Sequence, residues 1–261
     1  MVLRDDGDGV IAIGQPAHAW VSGQLARAWG NERFGRVAPR DDVCLAAVQH
    51  DIGMAAWDAA PELNAETGLP QSFLEMPVHR HLELWSRAPA LAGTQSRYAA
   101  LLVSCHGTTL YEMRDLQREP SNIAAAIGEY LAAQRELQAR LRDSLAGDAE
   151  YGPYAGEAGI ERNRRLLFTW DGISLALCMR SFPWTVRDVP VAGEASVEVR
   201  VTGEGLRAHV DPWPFEAAQL TVHCDGRRLD ERFDDEASMR AALDRAPWRT
   251  LVFELEPAPP G

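Results

Sequence analysis

The chain has 261 residues, 46% of them hydrophobic and 25% charged, with a formal net charge of −12. That length suits one large domain or a domain with a smaller unit attached. The negative field excludes extended nucleic-acid binding from the expected functions, because it would repel a phosphate backbone.

No apolar run approaches the roughly 20 residues needed to span a bilayer. The opening stretch MVLRDDGDGV lacks the basic start and apolar run of a signal peptide. A cytoplasmic location without a membrane partner is therefore expected. Cys44, Cys105, Cys178 and Cys224 are far apart and form no CxxC, which favours buried free thiols over a disulfide framework.

In chain order, residues 15–182 read as mainly helical. GQPAHAWVSGQLARAWG (14–30) has Pro16 near a helix start and Gly30 at its end. APRDDVCLAAVQHDIG (38–53) follows, with Asp41 or Asp42 as N-cap and Gly53 as stop. Pro61, Gly68 and Pro70 then break any period and predict a loop region between Gly53 and Ser96. Residues 96–114 read as a helix weakened by Gly107. Residues 121–147 form the clearest helix, capped by Ser121 and ended by Gly147, and 159–180 is another long one.

Beyond about residue 185 the period changes. Val197, Val199 and Val201 alternate in 195–202, and 206–215, 219–229 and 248–256 read as further strands around a short helix at 236–246. The tail PAPPG is expected to fray. The predicted fold is mainly α: a helical bundle over residues 1–184 with a small β-rich α+β annex over 185–261. Residues 180–194, rich in proline, form the joint.

Residues three or four apart share a helix face. On that rule His18 lines up with Val21 and Leu25, and His50 with Val43, Ala46, Ala47 and Met54. Asp51 lies beside Ala47, Val48 and Ala55, His106 beside Leu102, Val103 and Leu110, and Asp171 beside Leu167, Phe168 and Leu175. A single histidine on an apolar stripe is ordinarily a hydrogen-bonded core residue. An unpaired inward carboxylate costs several kcal/mol and demands a cation, a donor network or a shifted pKa. One divalent ion would answer both carboxylates and occupy the imidazole nitrogens together. The mixed N/O set suits one or two Fe, Mn, Co, Ni or Zn ions better than Ca or Mg.

The order His18 … His50-Asp51 … Asp171 on separate helices resembles the HD-domain superfamily of metal-dependent phosphohydrolases, and HDIGM (50–54) resembles its HDIG core. The resemblance covers about residues 15–180. It implies an HD-like helical bundle whose ligands are His18, His50, Asp51 and Asp171, with His106 at a further ligand position. Met54 stands where many cyclic-dinucleotide enzymes carry Lys, and no GYP follows, so that activity is not expected. HDIGMAAWDAAPELNAETGLPQSF, LLVSCHGTTLY and DPWPF together resemble a bacterial family known only as a domain of unknown function.

Other residues carry open alternatives. Asp58 is a candidate to hold a ligand or substrate beside Asp51, against the reading of an exposed loop start. His79 and His81 read as solvated surface. The Cys105-His106 pair reads poorly as a thiol nucleophile, since adjacent helical residues diverge. Glu62, Glu66 and Glu75 form an acidic loop. Arg162, Arg164 and Arg165 either meet a substrate phosphate or decorate a helix surface, and the aromatics of DPWPF pack the annex onto the helices.

The resulting expectation is a hydrolase that turns over a small phosphate ester or nucleotide by metal-activated water. The alternatives are a di-iron HD-type oxygenase and a non-catalytic metal-binding or assembly protein.

Overall fold

The computed structural model describes residues 1–193 and 195–259. Glu194, at the end of the expected joint, and Pro260 and Gly261, in the expected frayed tail, lie outside them.

The chain opens with a hairpin, β1 (Val2–Asp6) and β2 (Gly9–Ile13). Helices α1 (Gln15–Ala28) and α2 (Arg40–Gln49) follow, then a 3-10 turn at Ile52–Met54 and the short α3 (Ala55–Ala59). A two-stranded ribbon, β3 (Leu63–Asn64) and β4 (Leu69–Pro70), leads to a 3-10 turn at Phe73–Glu75. Four longer helices complete this part: α4 (Val78–Gly93), α5 (Arg97–Glu112), α6 (Ser121–Ala146) and α7 (Glu157–Met179). Then come β5 (Trp184–Pro190), β6 (Ser196–Glu204), β7 (Arg207–Asp211), β8 (Leu220–Leu229), α8 (Glu236–Arg245) and β9 (Trp248–Pro257). No helix among the described residues is long and apolar enough to cross a membrane.

The expected mainly α bundle with a small annex is corrected. One seven-stranded sheet runs β1-β2-β8-β9-β7-β6-β5, so the first and last thirds of the chain build it together. Its pairs are antiparallel except β7 with β9. The join is β2 on β8, where Val10, Ile11 and Ala12 face Leu229, Arg228 and Arg227. Period-2 alternation turns Val199, Val201, Val222 and Phe253 inward, where they share one core with Val21 and Leu25 of α1 and Leu166 and Trp170 of α7.

Two contacts lock the layers. Arg4 of β1 is buried and donates to the carbonyls of Leu177, Cys178 and Gly205, satisfying the open end of α7. In the DPWPF stretch Phe215 stacks edge-on to Trp29, and Gly30 N donates to Pro214 O. All four cysteines are buried free thiols.

The expected loop between Gly53 and Ser96 is also corrected, for it contains the 16-residue α4 with Pro89 inside it. The helix nonetheless holds because Leu82, Trp85, Ala88 and Ala92 form a buried stripe. Nor does Gly107 weaken α5. A Cβ there would meet Tyr130 Oη at 2.2 Å and Trp85 Cε3 at 2.6 Å, so the glycine admits two aromatic side chains against the helix. Asp42 does not cap α2; its carboxylate accepts from Ser96 and Tyr151.

Candidate metal centre

Four elements converge on one buried point. His18 comes from α1, His106 from the middle of α5 and Asp171 from the middle of α7. His50 and Asp51 come from the end of α2, where the helix stops at Gln49. His50 keeps helical angles, whereas Asp51 takes φ −106° and ψ 17° and opens the next 3-10 turn. On an unbroken helix the two side chains would diverge by about 100°. The break lets both face inward.

His18 Nε2 lies 2.7 Å from Asp51 Oδ2. His50 Nε2 lies 3.3 Å from Asp171 Oδ1 and 3.7 Å from Asp51 Oδ2. His106 Nε2 lies 3.6 Å from Asp171 Oδ2. Donor atoms fall into two triads, His18/His50/Asp51 and His50/His106/Asp171, each within 4.8 Å. All five residues are buried.

The outer nitrogens of His50 and His18 fix how those two rings present themselves. His50 Nδ1 is 2.9 Å from Ala47 O, which can only accept, so Nδ1 carries a proton, and in the neutral ring it is Nε2 that holds the lone pair. Among the described residues that Nε2 has no hydrogen-bond partner, and neither does Asp51 Oδ1. Around His18, Ser174 donates its hydroxyl to Asp171 O at 2.9 Å and so accepts from His18 Nδ1 at 2.9 Å. His18 Nε2 then directs a lone pair at a carboxylate oxygen 2.7 Å away. Only a proton or a metal ion between them makes that contact favourable. Outer N–H anchors with inner lone pairs are the arrangement a ligating histidine uses, so these residues fit a transition ion.

Without an ion, the electrostatics favour a proton on His50. Burial opposes charge on His50, but Asp51 and Asp171 outweigh it and raise its pKa to about 9. Burial would raise Asp51 and Asp171, yet the surrounding histidines hold both carboxyls below their usual range. His106 is pushed down to about 4 by burial.

These shifts predict a pH profile for chelator-treated protein. His50 is raised, so its contribution is full below pH 6.5 and lost as pH climbs through about 9. His81 and His106, lowered to about 4, withdraw stability as pH falls from 6.5. Thermal scans should therefore show a maximum near pH 6.5. Excess Zn²⁺ should abolish the alkaline decline, since ions bind deprotonated imidazole. A flat metal-free profile from pH 6.5 to 9 would contradict this assignment.

Ser174 also accepts from Ser22 at 2.9 Å. Ser174→Ala removes the anchor of His18 Nδ1, and metal affinity should drop roughly 10- to 100-fold. Ser22→Ala keeps that anchor and should cost less; equal losses in isothermal titration would reject the positioning role.

A cavity of about 250 Å³ opens beside the cluster, reached by His18, Asp51, His106 and Asp171. The reading of His81 as solvated surface is corrected. It lines this cavity with Nδ1 2.5 Å from Tyr111 Oη, and burial lowers its pKa to about 4. Since α4 is a helix, His79 falls on the opposite, exposed side. Trp85, one turn beyond His81, stacks on His106 with ring centroids 5.3 Å apart. The spacing His81, Leu84, Trp85, Ala88 was the available signal for this wall.

Asp58 is not brought into the cluster. One carboxylate oxygen accepts from Gln15 N at the start of α1, and the other lies 3.1 Å from the Met1 amine. Burial raises its pKa. It anchors the helix that carries His18. Met54 is wholly buried beside Trp57, Met76 and Trp85, which explains why an apolar residue stands there.

The three arginines near Asp171 are committed elsewhere: Arg164 and Arg165 to Glu161, Arg162 to the carbonyls of Phe34 and Val191. Glu75 closes a capping box with Ser72.

The sequence model of a family described as "Protein of unknown function (DUF3891)" matches residues 1–231. That span includes every residue of the cluster and the sheet through β8. No curated protein and no solved structure matches the chain.

Proposed function

The chain belongs to the DUF3891 family of proteins of unknown function, and from its own residues we propose a metal-dependent hydrolase of the HD type acting on a small phosphate ester. The observation that carries this reading is the buried His50 Nε2, without a hydrogen-bond partner among the described residues, with its outer nitrogen already anchored on Ala47 O. His18, Asp51 and Asp171 stand around it in the HD order on separate helices, and His106 completes the donor set. His50 Nε2 belongs to both triads and can bind one ion, which favours a single centre over the paired irons of an oxygenase.

A bound divalent ion lowers the pKa of water and polarises a phosphoryl oxygen. The protein's share is placement. Asp51 Oδ1, free of other partners among the described residues, can accept a hydrogen from water at the cavity floor. Trp85 and the His81–Tyr111 pair hold the wall against which the ester lies. Water's oxygen bonds to phosphorus, the ester P–O bond breaks, and the departing oxygen takes a proton.

The test is reconstitution with Mn, Fe, Co, Ni or Zn, followed by assay of p-nitrophenyl phosphate and its methyl diester. At least one ion should give turnover that chelator removes and Asp171→Ala abolishes. Tight binding of an ion without turnover of either ester would leave a non-catalytic metal protein. Oxygen uptake by the iron form would favour the oxygenase.

A further inference from the structure

The cavity beside the cluster restricts what can enter. At about 250 Å³ it falls below the roughly 300–1,000 Å³ of pockets that enclose drug-sized ligands. Its walls are mostly apolar and aromatic, with Met76, Trp85, Leu110 and Leu175 among them. Trp85 is fixed by its stack on His106 and His81 by its bond to Tyr111, so this side of the cavity is already braced.

Charge narrows the choice further. One divalent ion would offset Asp51 and Asp171 and leave the floor neutral. Among the described residues lining the cavity, Arg114 at the mouth is the one permanent cation, and it is shared with Glu119 at 3.3 Å. Burial keeps His81 neutral near pH 7. A nucleoside polyphosphate would bring several negative charges to a site with one guanidinium to receive them. A buried amide oxygen on Gln15, which lines the cavity and has no partner among the described residues, offers one acceptor.

Resting on the hydrolase reading, we propose that the substrate is a compact, singly charged phosphoryl anion with a small apolar body, and that nucleotides are excluded. Arg114 sets the charge limit, and the wall of Trp85, Leu110 and Leu175 sets the size limit.

The test is calorimetric titration of the protein as purified with methyl phenylphosphonate, a compact monoanion whose methoxide is a poor leaving group, against adenosine 5′-monophosphate and triphosphate. The phosphonate should bind about tenfold or more tighter than either nucleotide, and Arg114→Gln should weaken it about tenfold. Leu110→Trp, which fills the cavity, should abolish binding while the far-ultraviolet circular dichroism is kept. Equal or tighter nucleotide binding, an unchanged Arg114→Gln, or no phosphonate binding would overturn the proposal. Selective binding without ester turnover would overturn the hydrolase reading alone, and turnover of nucleotides would overturn this inference alone.

Discussion

Asp51→Asn is expected to strip the protein of its metal: about one equivalent in the wild type, and on the order of a tenth or less in the variant, by elemental analysis without chelator. The amide keeps the size and shape of the carboxylate and removes its charge. His18 Nε2, 2.7 Å away, then faces either an amide oxygen or an amide N–H, and the centre loses half of its anionic charge. Stability should fall as well, by about 3–5 kcal/mol in the metal-free protein, the cost of leaving one partner of a buried ion pair. His50 loses the first of the charges that hold it protonated, so the alkaline decline of the metal-free profile should begin at lower pH. Asp58→Asn makes the same chemical change seven residues on and outside the cluster. It should keep its metal and lose only the anchoring of α1. Equal metal content in the two variants would show that the carboxylate of Asp51 is not a ligand.

The centre was legible because its members break a pattern that is otherwise regular. His18, His106 and Asp171 stand on apolar stripes of long helices, where a polar residue must be satisfied, and helical periodicity alone brings them inward. Asp58 shows the limit of that reasoning. It lies close to Asp51 in sequence, but α3 turns it toward the backbone of Gln15. His81 was missed for the opposite reason. Proline and glycine between Pro61 and Pro70 concealed a helix that begins at Val78, and the wall of the cavity depends on that helix.

The strands after Ser196 were readable by alternation. Their partner hairpin was not, although the DDGDG stretch between two short apolar runs is a hairpin signal. No local pattern records that Ile11 pairs with Arg228. The sheet therefore read as a small annex, when the amino-terminal hairpin extends it to seven strands.

Gly53→Ala should lower stability and metal affinity together, and the reason lies in the backbone. A Cβ at Gly53 would stand 2.3 Å from Leu84 O and 3.1 Å from Ala88 Cβ. The first of these is a carbonyl inside α4 and cannot rotate away. The glycine of HDIGM is therefore the residue that lets α4 lie against the turn following Asp51. Forcing the two apart should cost on the order of 1–3 kcal/mol or more, the range for overpacking a filled core. For a chain of this size that is a fall of roughly 2–12 °C in Tm. The displacement acts at both edges of the site, because Asp51 precedes the turn and Trp85 follows Leu84 in α4. Metal affinity should thus weaken along with stability. Gly107→Ala meets only side chains, Tyr130 Oη and the ring of Trp85. It should shift Trp85 and alter ligand binding more than metal content. Differential scanning calorimetry and metal titration of the two variants separate these effects. If Gly53→Ala left Tm and metal affinity unchanged, the close packing of α4 against the HDIGM turn would not be what holds Asp51 in place.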